Sequence, residues 1–234
     1  MASIGKITET IINRSPFLRE SISENLINVS ALARKIKSEI EDKLGYEVNE
    51  GAVIMAIKRM SPSYYQEINN DIKLFMGSVG DFVVRSDLED FTYENSETLI
   101  SKQAELIKSL SKDSDIFYTF CRGVNESTII TSSRIKTKMN SIFSNEKLIS
   151  HSQDLASITI KLPKINIKIS GVYYYFLKHL AWEGINIIEV ISTTNEFTAV
   201  VKSDDIDCVF SVFMQLKKEG KEYLNSLKEN ILEK

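Results

Sequence analysis

The sequence predicts an α+β chain, with a small all-α N-terminal domain followed by two ferredoxin-like βαββαβ repeats. Three observations predict it. Up to about residue 62 apolar residues recur at helical spacing with no alternating β-branched run; from about Asp81 short β-rich runs alternate with helices; and that second order runs twice. Two passes through strand, helix, strand, strand, helix, with the next strand completing the first pass, describe tandem ferredoxin-like units. The expected divisions are a helical domain (1–64), a connecting segment (65–80), a first repeat (81–150), a second repeat (151–218) and a charged tail (219–234).

Ser15-Pro16 opens a helix, because Ser can cap and Pro fits the first helical position. Ser30 is expected to cap Ala31 to Leu44, where Leu32, Ile36, Ile40 and Leu44 recur every four positions and Gly45 marks the end. Asn49 and Glu50 open Gly51 to Met60, with Val53, Ile54, Ala56 and Ile57 toward a core; Lys58-Arg59 closes its last turn and Ser61-Pro62-Ser63 stops it. The first repeat reads as strand Leu88 to Tyr93, a helix capped by Ser96 burying Leu99, Ile100, Leu106, Ile107 and Leu110, strands Asp115 to Cys121 and Ser127 to Ser132, and helix Arg134 to Phe143. The second reads as strand Leu155 to Leu162, helix Val172 to Trp182, strands Asn186 to Ser192 and Glu196 to Lys202, and helix Ile206 to Leu216. From Lys217 charge at helical spacing either continues that helix or docks on a partner.

The composition narrows the function. With 43% hydrophobic and 26% charged residues the chain is globular, and a net charge of −3 gives no broad positive field for nucleic acid. Cys121 and Cys208 lack CxxC spacing and a neighbouring His, so they are expected to be small buried hydrophobes in a reducing compartment. The first residues lack the apolar core of a signal peptide and no apolar run approaches the roughly 20 residues of a membrane span, which predicts a cytoplasmic protein. No phosphate-loop, dinucleotide, nucleophile-elbow or zinc signature occurs, and His151 and His179 are far apart, the latter on a helix face expected to meet solvent. The expectation is a non-enzyme with no catalytic residue, metal or cofactor. The aromatic group Tyr173, Tyr174, Tyr175, Phe176 and Trp182 has only Lys178 beside it, which suits core and subunit interface better than base stacking.

The most informative stretch is Ser170 to Thr198. Gly171-Val172 opens a helix, Leu180 stands three residues ahead of Glu183-Gly184-Ile185-Asn186-Ile187, and Ser192-Thr193-Thr194-Asn195-Glu196 forms a turn between strands. This stretch resembles an ACT domain, in particular the regulatory type found in tandem at the C-terminus of aspartokinases. The resemblance extends over about 155–216; over 81–150 it rests on element order and Glu94-Asn95-Ser96. The kinase portion has no room in this chain. A small-molecule amino-acid effector is implied, with Ser170, Gly171, Val172, Tyr173, Asn186, Ser192, Thr193, Thr194 and Glu196 as its candidate ligands. Physically, Gly171 permits a tight turn that leaves the Val172 and Tyr173 amides at a helix N-terminus, where the dipole favours a carboxylate. Asn186 and the Ser192 to Glu196 turn are placed by the resemblance to meet the ammonium or side chain. In the structural alternative, Gly171 only permits a turn and Asn186 and Ser192 cap strand ends.

Ser30 to Ile36 and Asn49 to Arg59 look like the two helices of a helix-turn-helix, with Lys37 to Val48 lengthening the connection. Arg34, Lys35, Lys58 and Arg59 are the candidate DNA contacts. Residues 1–62 hold nine Lys and Arg against eight Asp and Glu, which also suits a helical dimerisation or docking domain with solvated charges. The leading function is a non-catalytic amino-acid-binding regulator, acting on DNA or on a partner. Its rivals are a detached regulatory subunit of an amino-acid biosynthetic enzyme and a structural assembly with a degenerate pocket. Edge strands and aromatic helices suggest a homodimer or higher homo-oligomer through the repeats.

Overall fold

The computed structural model describes residues 3–60, 63–111, 113 and 115–232, with side chains outside 63–68 and 230–232. Two compact units divide the chain, Met1–Asp71 and Ile72–Lys234.

The first unit contains α1 (Ile4–Asn13), α2 (Pro16–Ser23), α3 (Val29–Leu44) and α4 (Glu50–Arg59). Each begins at a polar cap. Ser15 Oγ accepts from the Leu18 amide, and Asn49 Oδ1 from that of Gly51. The cap of α3 is Asn28 and not Ser30: its Oδ1 accepts from the Ala31 amide at 3.1 Å, so the helix starts at Val29 and Ser30 sits in its first turn. Gly45 ends α3 in the left-handed conformation at φ 76°, which glycine adopts without a Cβ penalty. Ile7, Ile11 and Ile12 of α1, Leu32, Ala33, Ile36 and Ile40 of α3, and Val53 and Ile57 of α4 form one buried cluster. Burying each large aliphatic side chain contributes about 1.5–3 kcal/mol, which holds these short helices where propensity alone would not. The stop expected at Ser61-Pro62 lies outside the described residues.

The segment expected to connect the domains is a helix, α5 (Ser63–Ser78), and the division between the units falls inside it. Ile72, Phe75, Met76 and Val79 are all buried, at positions i, i+3, i+4 and i+7.

The second unit carries β1 (Phe82–Glu94), α6 (Leu99–Leu110), β2 (Tyr118–Arg122), β3 (Glu126–Ser132), α7 (Lys136–Ile142), β4 (Leu148–Lys161), α8 (Val172–Trp182), β5 (Ile187–Ser192), β6 (Glu196–Lys202) and α9 (Ile206–Leu232). The tail therefore continues the last helix; Glu233 and Lys234 lie outside the described residues. The two repeats do not form separate four-stranded sheets. One antiparallel sheet runs in the order β2-β3-β1-β4-β6-β5, with β1 and β4 paired at its centre. Each of these long strands closes the other's repeat: β4 is the fourth strand of the first, and β1 fills that place in the second.

An internal symmetry sets this centre. Asp87 and Asp154, each followed by Leu, have φ of 55° and 56° and interrupt the β1–β4 register on either side of the Leu88–Leu155 pair. Each inserts one extra residue, a bulge that exchanges the faces of the residues beyond it. Phe82 and Phe91 consequently share a face, although nine positions separate them. On that face α6 and α7 cover Phe91, Tyr93 and Ile129, while Phe176 of α8 and Phe213 of α9 enclose Phe197 with ring centroids 5.0 and 6.4 Å away. Leu99, Leu106 and Leu110 are buried as expected, whereas Ile100 and Ile107 are exposed because the next stripe round α6 faces away from the sheet. Cys121 and Cys208 are exposed, not buried: one lies on edge strand β2, the other one position off the Val209–Phe213–Leu216 stripe of α9.

The opposite face has its own buried patch of Leu88, Ile130, Leu155 and Val200. Asp90 stands on this face, 6% exposed, where burial raises its carboxyl above the ordinary range despite the Thr92 hydroxyl and the nearby His151. Burial, with Asp90 second, raises Glu189 likewise. A raised carboxyl stabilises the fold fully below the ordinary carboxylate range, and that share is lost as pH climbs through the folded-state value. Asp90→Asn should therefore raise the thermal midpoint by a few degrees at pH 7, with a gain that shrinks toward pH 4 in a melting series. An equal gain at both pH values would show that the carboxylate is not the destabilising group.

Candidate ligand site

Both repeats present the same junction, where a long central strand hands over to a helix beside a β-hairpin turn. Thr193 N donates to the Glu196 carbonyl at 3.0 Å in the second repeat, as Gly123 N does to the Glu126 carbonyl at 2.8 Å in the first. Leu162 N reaches the Asn195 carbonyl at 2.7 Å, matching Asn95 N on the Asn125 carbonyl at 2.9 Å. The connections differ. Four residues, Asn95 to Thr98, join β1 to α6, and ten, Leu162 to Gly171, join β4 to α8.

In the first repeat the junction is filled by the chain itself. Ser96 Oγ accepts from the Leu99 amide at 3.0 Å and donates to Glu146 Oε2 at 2.5 Å, while Thr98 Oγ1 donates to Glu146 Oε1 at 2.6 Å. Asn95 Nδ2 donates to the Gly123 and Val124 carbonyls and its Oδ1 accepts from Ser127. A carboxylate, that of Glu146, already sits at the start of α6. It also acts on Tyr93, whose phenol is pushed up to about 12, mainly by burial.

In the second repeat the longer connection makes a 3-10 turn at Lys164–Lys168 and ends at Gly171, left-handed at φ 85°, with no side-chain cap on α8. The first amides of an α-helix have no intrahelical acceptor, and among the described residues none lies on those of Val172, Tyr173 or Tyr174. Beside them is a hollow of about 300 Å³ lined by Asn166, Ile167, Ile169, Gly171, Val172, Tyr173 and Tyr174. Tyr173 forms one wall: its ring rests on Phe197 at 5.4 Å and its hydroxyl meets Ser192 Oγ.

The structure thus gathers Gly171, Val172 and Tyr173 at the hollow with Ser192 behind them. Ser170 precedes Gly171 on the surface, and Thr193, Thr194 and Glu196 are exposed in the adjoining turn. Asn186 is not brought there. It precedes β5 at the other end of α8, roughly 16 Å away for an 11-residue helix. Asn166, Ile167, Ile169 and Tyr174 were missed by sequence reasoning; the unequal lengths of the two strand-to-helix connections were the available signal.

The other candidates are accounted for by packing. His179 Nδ1–H donates to the Tyr175 carbonyl at 2.7 Å on a half-buried face, not a solvent-facing one. His151 stacks on Phe91 and bonds Glu89 at 2.6 Å, and Lys136 approaches the same carboxylate. Tyr175 and Phe176 are buried, whereas Trp182 is 79% exposed. In the first unit Arg34 pairs with Glu50 at 3.1 Å, Lys35 is exposed, and Lys58 and Arg59 stand eight and nine residues beyond Glu50 along α4. Among the described residues no group of acidic, Cys and His side chains could hold a metal ion, and no helix is long and apolar enough to cross a membrane.

No family model and no curated protein matches this chain. Solved structures do. A chain from the aspartokinase alpha and beta subunits aligns with a TM-score of 0.50 at 10% identity, over 59% of this chain and 98% of its own. Over that part the chain shares the fold of an aspartokinase subunit. The ligand-free regulatory subunit of aspartate kinase from Thermus thermophilus aligns at 0.48 and 10% identity over the same shares. Aspartate kinase from Clostridium acetobutylicum aligns at 0.49 and 11% identity, over 60% of this chain and 35% of its own. At these identities the likeness to aspartokinase subunits concerns fold alone.

Proposed function

We propose that this chain is a non-catalytic regulatory protein of the tandem ACT type that binds a free amino acid at the second repeat and thereby alters the output of its helical domain. One observation carries the reading: α8 opens uncapped on a hollow, while the matching start of α6 is already occupied by Glu146. A ligand carboxylate at the Val172 and Tyr173 amides would take the part that Ser96 Oγ plays on the Leu99 amide in the first repeat, with the helix dipole favouring its charge. Coupling to the helical domain would be worth typically about 1–3 kcal/mol. A second reading, a detached regulatory subunit that binds a biosynthetic enzyme such as an aspartokinase and not DNA, is favoured by the pairing of Arg34 with Glu50.

A thermal-shift panel of amino acids tests the binding. At 100 times its dissociation constant a ligand adds about 2.7 kcal/mol, roughly 5 to 10 °C for a unit of this size. Gly171→Val, which places a β-branched residue in a left-handed position at the mouth of the hollow, should abolish the shift while far-UV circular dichroism stays unchanged. A flat panel, or a variant that responds like the parent, would remove the site from this junction.

A further inference from the structure

Asn166 lies in the connection that the first repeat lacks. The residue is 9% exposed, lines the hollow, and its carboxamide has no hydrogen-bond partner among the described residues. Its main chain is spoken for: the amide donates to the Pro163 carbonyl at 2.9 Å and the carbonyl accepts from Ile169 N at 3.3 Å, which fixes the turn and leaves only the side chain uncommitted. The carboxamide is not among the fully enclosed polar groups that lack a partner, so its atoms open onto the hollow, where a guest can replace water as their partner. The other walls are Ile167, Ile169, Val172 and the rings of Tyr173 and Tyr174, and no charged side chain lines the space. At about 300 Å³ the hollow is at the small end of ligand sites, suited to a guest the size of one amino acid.

We infer that Asn166 sets the ligand class of this site: an α-amino acid with an uncharged, apolar side chain, its ammonium donating to Asn166 Oδ1 and its carboxylate held at the start of α8. This rests on the amino-acid-binding reading and narrows it. The apolar walls take the side chain, and a basic or acidic one would be stripped of water with no counter-charge facing it. Lysine, arginine, aspartate and glutamate should bind at least about tenfold more weakly than valine, leucine, isoleucine or phenylalanine.

Isothermal titration of the full chain with the twenty amino acids tests the class. Titration of the best ligand and its des-amino carboxylic acid into the parent, Asn166→Leu and Asn166→Asp tests the residue. A hydrogen bond to a charged group is worth about 1.5–3 kcal/mol, so N166L should weaken binding by roughly 10- to 100-fold. The des-amino acid should bind the parent more weakly than the amino acid by a similar factor, yet bind parent and N166L alike. N166D, which can still accept from an ammonium, should keep affinity within about threefold; a collapse there would mean that Asn166 faces the carboxylate and would overturn the assignment. A charged amino acid as the tightest ligand would overturn the inferred class and leave amino-acid sensing standing. Neutral ligands that bind N166L as well as the parent would overturn the role of Asn166 alone, and no binding by any amino acid would overturn both readings.

Discussion

Gly220→Ala should lower the thermal midpoint by up to roughly 8 °C, although alanine is the better helix former by about 1 kcal/mol. The reason is the crossing of α5 and α9. A Cβ on Gly220 would fall 2.8 Å from the Lys73 carbonyl oxygen, and one on Gly77 would fall 2.6 Å from the Gly220 oxygen. Both obstacles are backbone, which cannot rotate away as a side chain can. The helices must separate, and overpacking of this kind typically costs about 1–3 kcal/mol or more. Differential scanning calorimetry of G220A and G77A decides the matter, because a rise in midpoint would show that the two helices are not held at backbone contact.

A larger loss is expected for Phe197→Ala, about 3–5 kcal/mol in urea unfolding. Phe197 is fully buried and meets three rings on two helices, Tyr173 and Phe176 of α8 and Phe213 of α9, at 5.4, 5.0 and 6.4 Å. The cavity left by the ring cannot collapse without moving a helix. Because Tyr173 rests on that ring, the wall of the hollow would loosen too, and the amino-acid thermal shift should fall in parallel with stability. Phe197→Leu, which keeps most of the volume, should recover most of both. A Phe197→Ala variant within about 1 kcal/mol of the parent would contradict the packing described.

Much of this architecture could be read from residues because local signals and tertiary demands agree. Val172 to Trp182 and Glu196 to Lys202 have the bounds that periodicity gave them, since a left-handed glycine precedes one and a hairpin turn the other. The exceptions have physical reasons. Asn28 and Ser30 are both good caps, and only the position of the Ala31 amide chooses between them. The polar Asn69-Asn70-Asp71 run masked the stripe that makes α5 a helix. Asp87 and Asp154 are charged residues inside strands, so β1 and β4 looked shorter than they are, and a sheet shared between repeats has no local signature at all. At the site, Gly171 was legible because it must be left-handed; Asn166 was not, because an asparagine in a loop declares itself only when the fold places it at the lining of a hollow.

The sharing of β1 and β4 also governs how the second unit is assembled during synthesis. Once β3 has paired with one side of β1, the other side keeps its N–H and C=O groups unmatched until residues 148–161 have left the ribosome. An open strand margin of that length is a template for any extended segment nearby, including the same stretch of a neighbouring nascent chain. Arg85 and Asp87 lie along it, and such charged residues discourage wrong partners during the wait.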